Sequence, residues 1–317
     1  MKWKKLGRIF NPTEHKLSKG CKIFAQSPQT IVFDDFVRIF FSTRNIHENG
    51  KYLSHVQFVD MDKSLQKLIN ISKNTVIELG ALGTFDEHGI FPMNVLRYGN
   101  KILAYTSGWT RRVSVSVDTG IGLAFSNDDG NNFTRVGNGP VLTSSLHEPF
   151  LVCDPFVKVY EGIFHMWYIY GTEWQIYSEG STPERTYKIG HAKSVDGIVW
   201  KKDGHSIIEN KLDNECQALP TVINIDGSFH MFFCYRDSFG FRETIGRGYR
   251  LGYAFSNDGE TWIRDDEKGG LSLSKEGWDS EMMCYPHIFK CDEKTYLLYN
   301  GNQFGRYGFG VAQLEEL

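Results

Sequence analysis

A glutamate recurs five positions ahead of a proline three times in the chain: Glu87 before Pro92, Glu215 before Pro220 and Glu281 before Pro286. Asp86 stands beside the first of them, and another proline, Pro155, has Asp154 directly before it. Carboxyl groups brought together from separate parts of a chain can divide proton work. One held protonated donates to a leaving oxygen, while an ionised one activates a nucleophile or acts as one. A third raises its neighbour's pKa by like-charge repulsion. Cleavage of a glycosidic bond needs that division, so Glu215, Asp154, Glu87, Asp86 and Glu281 are the candidate catalytic residues. The same carboxylates have a structural use: they could accept backbone amides and bridge neighbouring elements.

For such residues to meet, the chain needs a scaffold with repeated entry points. Aligned on Pro28, Pro92, Pro155, Pro220 and Pro286, it shows a period of about 64 residues. Each proline opens a short apolar strand, followed by a polar turn and an aromatic-rich second strand. A third strand carries Gly-x-Ala-x-Ser in Gly122–Ser126, Gly190–Ser194 and Gly252–Ser256, with a degenerate copy at Gly310–Ala312. An Asp-Gly turn and a fourth strand follow, the latter starting at Phe133, Trp200 or Trp262. Four strands per repeat over five repeats predict an all-β, five-bladed β-propeller. The last repeat stops after its third strand. Lys2–Gly7 resembles the fourth strands elsewhere, so the N-terminal strand is expected to complete the last blade and close the ring. The expected blades are 22–80, 81–144, 145–210, 211–274, and 275–317 with 1–10, all in one domain.

Propeller topology sends the loops after the second strands to one face. Here those loops are long and irregular: Arg44–Lys51, Ser107–Thr119, Gly171–Lys188, Arg236–Arg250 and Gly301–Tyr307. Arginines concentrate in them, among them Arg112, Arg185, Arg247 and Arg250. Guanidinium forks match carboxylate or phosphate geometry. Arg44, Arg111, Arg236, Arg242 and Arg306, with the rings of Trp109, Trp174 and Tyr235, are the candidate substrate-binding residues. The partner they suit is an oligosaccharide or anionic sugar, with inorganic phosphate as a possible co-substrate.

Composition narrows the classes. The chain has 317 residues and a net charge of −3, which argues against a general nucleic-acid binder. No apolar run reaches the roughly 20 residues that cross a bilayer, so no membrane insertion is expected. Met1–Gly7 does not read as a secretory signal. The six cysteines form no CxxC pair; they are expected to be reduced and buried, in a cytoplasmic protein. No metal or other cofactor is expected. His287, beside Pro286, is assigned to the core rather than to a metal.

Five blades, Ser-x-Asp-Gly turns and acids at the channel mouth resemble the five-bladed propeller glycoside hydrolases of families 32, 43, 68 and 130. Asp154-Pro155 resembles the family 32 element whose aspartate stabilises the transition state. Glu215-Cys216 resembles the element holding the acid/base glutamate. Asp86-Glu87-His88-Gly89 stands where that family has its nucleophilic aspartate. The run Trp278–Pro286 and the segment Tyr235–Arg250 look like an uncharacterised branch associated with bacterial surface polysaccharides. The resemblance implies an inverting glycoside hydrolase with Glu215 as acid and Asp86 or Glu87 as base. The alternatives are a phosphorylase or glycosyltransferase using the arginine-rich face, and a carbohydrate-binding propeller without activity.

Overall fold

The computed structural model describes residues 1–47 and 50–317, so residues 48 and 49 of the Arg44–Lys51 loop lie outside the described residues. The regular secondary structure is almost entirely strand. The first strand, β1 (Lys2–Phe10), is followed by four runs of four: β2 (Ile23–Val32), β3 (Phe36–Ile46), β4 (Tyr52–Asp62) and β5 (Leu68–Ile71); then β6 (Gly89–Tyr98), β7 (Lys101–Arg111), β8 (Val117–Ser126) and β9 (Thr134–Arg135). The third run is β10 (Val152–Tyr160), β11 (Ile163–Gln175), β12 (Glu184–Ser194) and β13 (Lys201–Lys202). The fourth is β14 (Glu215–Ile225), β15 (Ser228–Asp237), β16 (Arg250–Ser256) and β17 (Ile263–Arg264). The chain ends in β18 (Cys284–Cys291), β19 (Lys294–Asn300) and β20 (Phe309–Glu316). No helix among the described residues is long and apolar enough to cross a membrane.

Each run is an antiparallel meander. The first two join through a single parallel pair, Ser54 opposite Gly89. In the last sheet β1 lies beside β20, with Lys2 opposite Glu316 and Lys5 opposite Ala312. Trp3 donates its indole N–H to the Gly269 carbonyl at 2.9 Å and meets Phe232 edge-on at 5.6 Å, which ties β1 to the fourth sheet. The first strands pack in sequence: β2 on β6, β6 on β10, β10 on β14, β14 on β18, and β18 on β2.

Local chemistry explains these elements. The hairpins at Glu161-Gly162 and Asp226-Gly227 have both central residues at positive φ, the turn whose twist suits antiparallel strands. In the Asp-Gly turns, Ser126, Ser194 and Ser256 accept the amides of Gly130, Gly197 and Gly259, each at 2.9 Å. Between the sheets lie rings such as Trp167, Tyr105, Tyr168 and Phe233, all fully buried. Each contributes roughly 2–3 kcal/mol through burial. All six cysteines are free thiols.

The five aligned prolines mark a shared distortion. A proline has no N–H for the ladder, and each first strand shifts register around it. The preceding residue is in left-handed backbone in four cases, Ser27, Asp154, Leu219 and Tyr285, while Phe91–Pro92 is cis. Of these five residues, Phe91, Asp154 and Tyr285 line one cavity.

Candidate active site

That cavity holds about 630 Å³ and takes residues from all four sheets, among them Arg44 from β3, Trp109 from β7, Asp154 from β10, Arg185 from β12 and Arg236 from β15. One side is aromatic. Tyr285 meets Phe91 at 5.4 Å and Tyr249 at 5.6 Å, and Phe304 lies 6.1 Å from Tyr249. Such rings offer flat apolar faces with polar edges, suited to the faces of a sugar ring.

Asp154 is the buried carboxyl of the lining, 5% exposed; the other lining acids, Glu243 and Glu281, are exposed. Its N–H donates to Ser107 Oγ at 2.7 Å, and one carboxylate oxygen accepts the Leu219 N–H at 3.3 Å. Burial pushes its pKa up to about 7, against the lowering pull of the Leu219 amide, the Arg185 charge and the Cys153 thiol. Near neutral pH it therefore exists in both forms. A general acid needs that poise.

The lining cations outnumber the lining acids: Arg44, Arg185, Arg236, Arg242 and Arg306 against Asp154, Glu243 and Glu281. Burial lowers the Arg44 pKa. The phenols of Tyr285 and Tyr52 oppose that, while the like charges of Arg185 and Arg242 add to it. Arg236 lies 3.4 Å from the Phe241 ring centroid and Arg242 lies 4.2 Å from it. Arg236 also donates to the Tyr187 hydroxyl at 2.8 Å, and Tyr187 is hydrogen-bonded to Tyr249. Burial raises both phenol pKa values, so both keep their protons.

Of the candidate acids, Asp154 and Glu281 line the cavity, and Glu215, Asp86 and Glu87 do not. Glu215 is fully buried, does not line the cavity and is spoken for: it accepts Arg264 at 2.6 Å, Gln217 at 2.9 Å and two backbone amides. Asp86 accepts Arg135 twice, at 2.6 and 2.9 Å. The two belong to a series. Glu148 takes Lys202 at 2.5 Å and Asp279 takes Lys5 at 2.7 Å. Each basic residue sits opposite the alanine of the Gly-x-Ala strand: Arg135 at Ala124, Lys202 at Ala192, Arg264 at Ala254 and Lys5 at Ala312. Asp86, Glu148, Glu215 and Asp279, at or ahead of β6, β10, β14 and β18, thus each hold the strand that completes the same meander. Glu87 accepts the Gly83 N–H at 2.6 Å and pairs with His88 at 3.1 Å, also away from the cavity.

Of the remaining candidates, Glu281, Arg44, Trp109, Arg236, Arg242 and Arg306 line the cavity. Arg111 does not; it donates to the Tyr52 carbonyl and covers Trp109. Trp174 lies behind Arg185 at 5.5 Å. Tyr235 is buried against Arg264. His287 bonds across sheets, accepting the Thr30 N–H at 3.1 Å, and burial with Lys158 nearby holds its pKa at about 3. Sequence reasoning passed over Tyr187, Tyr249, Tyr285 and Glu243, and noted Arg185 only as loop charge. Tyr285 could have been found, because it precedes Pro286 as Asp154 precedes Pro155.

The fold is that of the propeller-type glycoside hydrolases. A solved glycoside hydrolase superposes with a TM-score of 0.75 at 15% identity, over 99% of this chain and 92% of that one. The β-1,2-mannobiose phosphorylase from Listeria innocua does so with 0.67 at 11%, over 99% and 96%. A thermostable family-43 glycoside hydrolase gives 0.63 at 14%, over 90% and 88%. No family model matches the sequence. The chain belongs to the same family as two uncharacterised Mycobacterium tuberculosis proteins, MT1551 of strain CDC 1551 / Oshkosh and Rv1502 of strain ATCC 25618 / H37Rv. Each is 33% identical over 317 residues, covering 99% of this chain and 100% of the relative.

Proposed function

We propose that the chain is a carbohydrate-active enzyme that breaks a glycosidic bond in the central cavity, with Asp154 rather than Glu215 as the proton donor. The scaffold in this reading is a five-bladed propeller, its last blade, 275–317, completed by residues 1–10. The pairing of β1 with β20 and the cyclic packing of the first strands support it. The observation that carries the function is the state of Asp154: a buried carboxyl, aimed into a cavity by a proline bulge, that holds its proton close to neutral pH.

In hydrolysis Asp154 passes its proton to the leaving oxygen as the bond from that oxygen to the anomeric carbon breaks. Water attacks the anomeric carbon and gives its own proton to a carboxylate, for which Glu281 on the cavity wall is the candidate. The products are a free sugar and an alcohol. If the displacement inverts, the two carboxyl groups stand roughly 6.5–9.5 Å apart around the substrate.

The lining arginines favour a second reading, phosphorolysis. There inorganic phosphate attacks in place of water, and the products are a sugar phosphate and an alcohol.

The test is turnover of an oligosaccharide panel with and without phosphate, with product anomers read by NMR. Asp154→Asn is expected to cut kcat by at least about 100-fold while leaving substrate binding intact. Full activity in that variant would sink the assignment. Turnover only with phosphate would select the second reading.

A further inference from the structure

Arg236 is 2% exposed and lines the cavity. It donates to the carbonyls of Asp237 and Ser238 and to the Tyr187 hydroxyl, yet its Nε has no partner and no carboxylate pairs with it among the described residues. Arg44 is in the same condition. Among the described residues its Nε is buried without a partner and no acid pairs with it; its guanidinium faces Phe24 at 5.3 Å and Phe91 at 5.7 Å. The rest of the molecule shows what the fold normally does with a buried cation. Arg38, the other arginine this deeply buried, is bidentate on Asp60 at 2.7 and 3.0 Å, and Arg264 has both Glu215 and Asp266. A desolvated guanidinium without a counter-ion is costly. Two of them facing one cavity, with Arg185 beside them, define a place for an anion; Arg242, also in the lining, is already paired with Glu184 at 2.5 Å.

Resting on the reading that this cavity handles a saccharide, we propose that the saccharide is acidic, and that Arg236 and Arg44 hold a carboxylate or phosphate-ester group carried on the sugar itself. The cations do not stand apart from the aromatic wall. Arg44 lies against Phe91, and Arg236 lies among Phe241, Tyr187 and Tyr249. One ligand with a ring and an oxyanion on it fills both features. A free anion uses only the cations.

The test is calorimetric titration of the full chain with glucuronate, glucose 6-phosphate, glucose and inorganic phosphate. At least one acidic sugar is expected to bind about tenfold or more tightly than both glucose and inorganic phosphate. Arg44→Gln and Arg236→Gln are expected to remove that advantage and leave glucose unchanged, with melting temperatures showing that each variant is folded. Arg44 is the less buried of the two and keeps the test alive should Arg236→Gln not fold. The proposal falls if neither acidic sugar exceeds glucose, or if the advantage survives Arg44→Gln in folded protein. It falls equally if inorganic phosphate binds as tightly as the acidic sugars and is required to cleave neutral oligosaccharides. Asp154→Asn should leave these affinities unchanged. Tight binding of the acidic sugars, with no cleavage of any acidic or neutral oligosaccharide with or without phosphate, would therefore overturn the cleavage reading and leave this one standing.

Discussion

Asp154 shows how one side chain can tie chemistry to stability. Its pKa of about 7 stands above the 3.8 of an unperturbed aspartate, so the folded state binds its proton more tightly than the unfolded chain does. The sign follows from linkage: the stability this group contributes is fully present below about pH 4 and is lost as pH rises through about 7. At most it amounts to about 4 kcal/mol. Asp154→Asn, which cannot ionise, is expected to flatten the fall in urea midpoint between pH 5 and pH 8. Unchanged pH dependence in the variant would mean that Asp154 ionises in the fold without penalty. Sequence alone picked out Asp154 because it stands directly before one of the aligned prolines. It could not rank Asp154 above Glu215, because burial and partners are properties of the folded chain.

At the scale of the strand, the same carboxylate pattern turned out to serve packing. Aligned acids at the mouths of inner strands fit catalysis and stapling equally well until their partners are known. The partners lie far along the chain: Arg135 is 49 residues from Asp86, and Lys5 is 274 from Asp279. A signal for them was present. Trp3, Phe133, Trp200 and Trp262 are each followed two residues later by a base, at Lys5, Arg135, Lys202 and Arg264. Removing one member of a buried pair strands the other, at a cost of about 3–5 kcal/mol. Glu215→Ala should therefore lower unfolding stability by about that much, as read from urea denaturation. Equal stability of variant and parent would show that the staple contributes nothing. The repeats and most strands were legible because periodic glycines, aromatics and turns write them locally. Tyr187 and Tyr249 were not, because only the third dimension brings them to Arg236.

At the scale of the molecule, β1 is the element on which two sheets depend. It supplies the outer strand beside β20, sends Trp3 into the fourth sheet and gives Lys5 to Asp279. Removing residues 1–10 would leave Asp279 buried without its cation and the edge of β20 bare. The expected outcome is loss of a single cooperative thermal transition and growth of aggregates in light scattering. A shortened chain that melts as one monomeric unit near the parent temperature would show that β1 is dispensable.

Because Lys2 lies opposite Glu316, β1 leaves the ribosome before every strand that separates it from its partner β20. Among the described residues no strand made before β20 pairs with β1, so the nascent chain carries an unmatched strand until β20 emerges. A premature stop anywhere before Phe309 would orphan β1 as surely as cutting it away, and quality control would meet both as the same open-edged fragment.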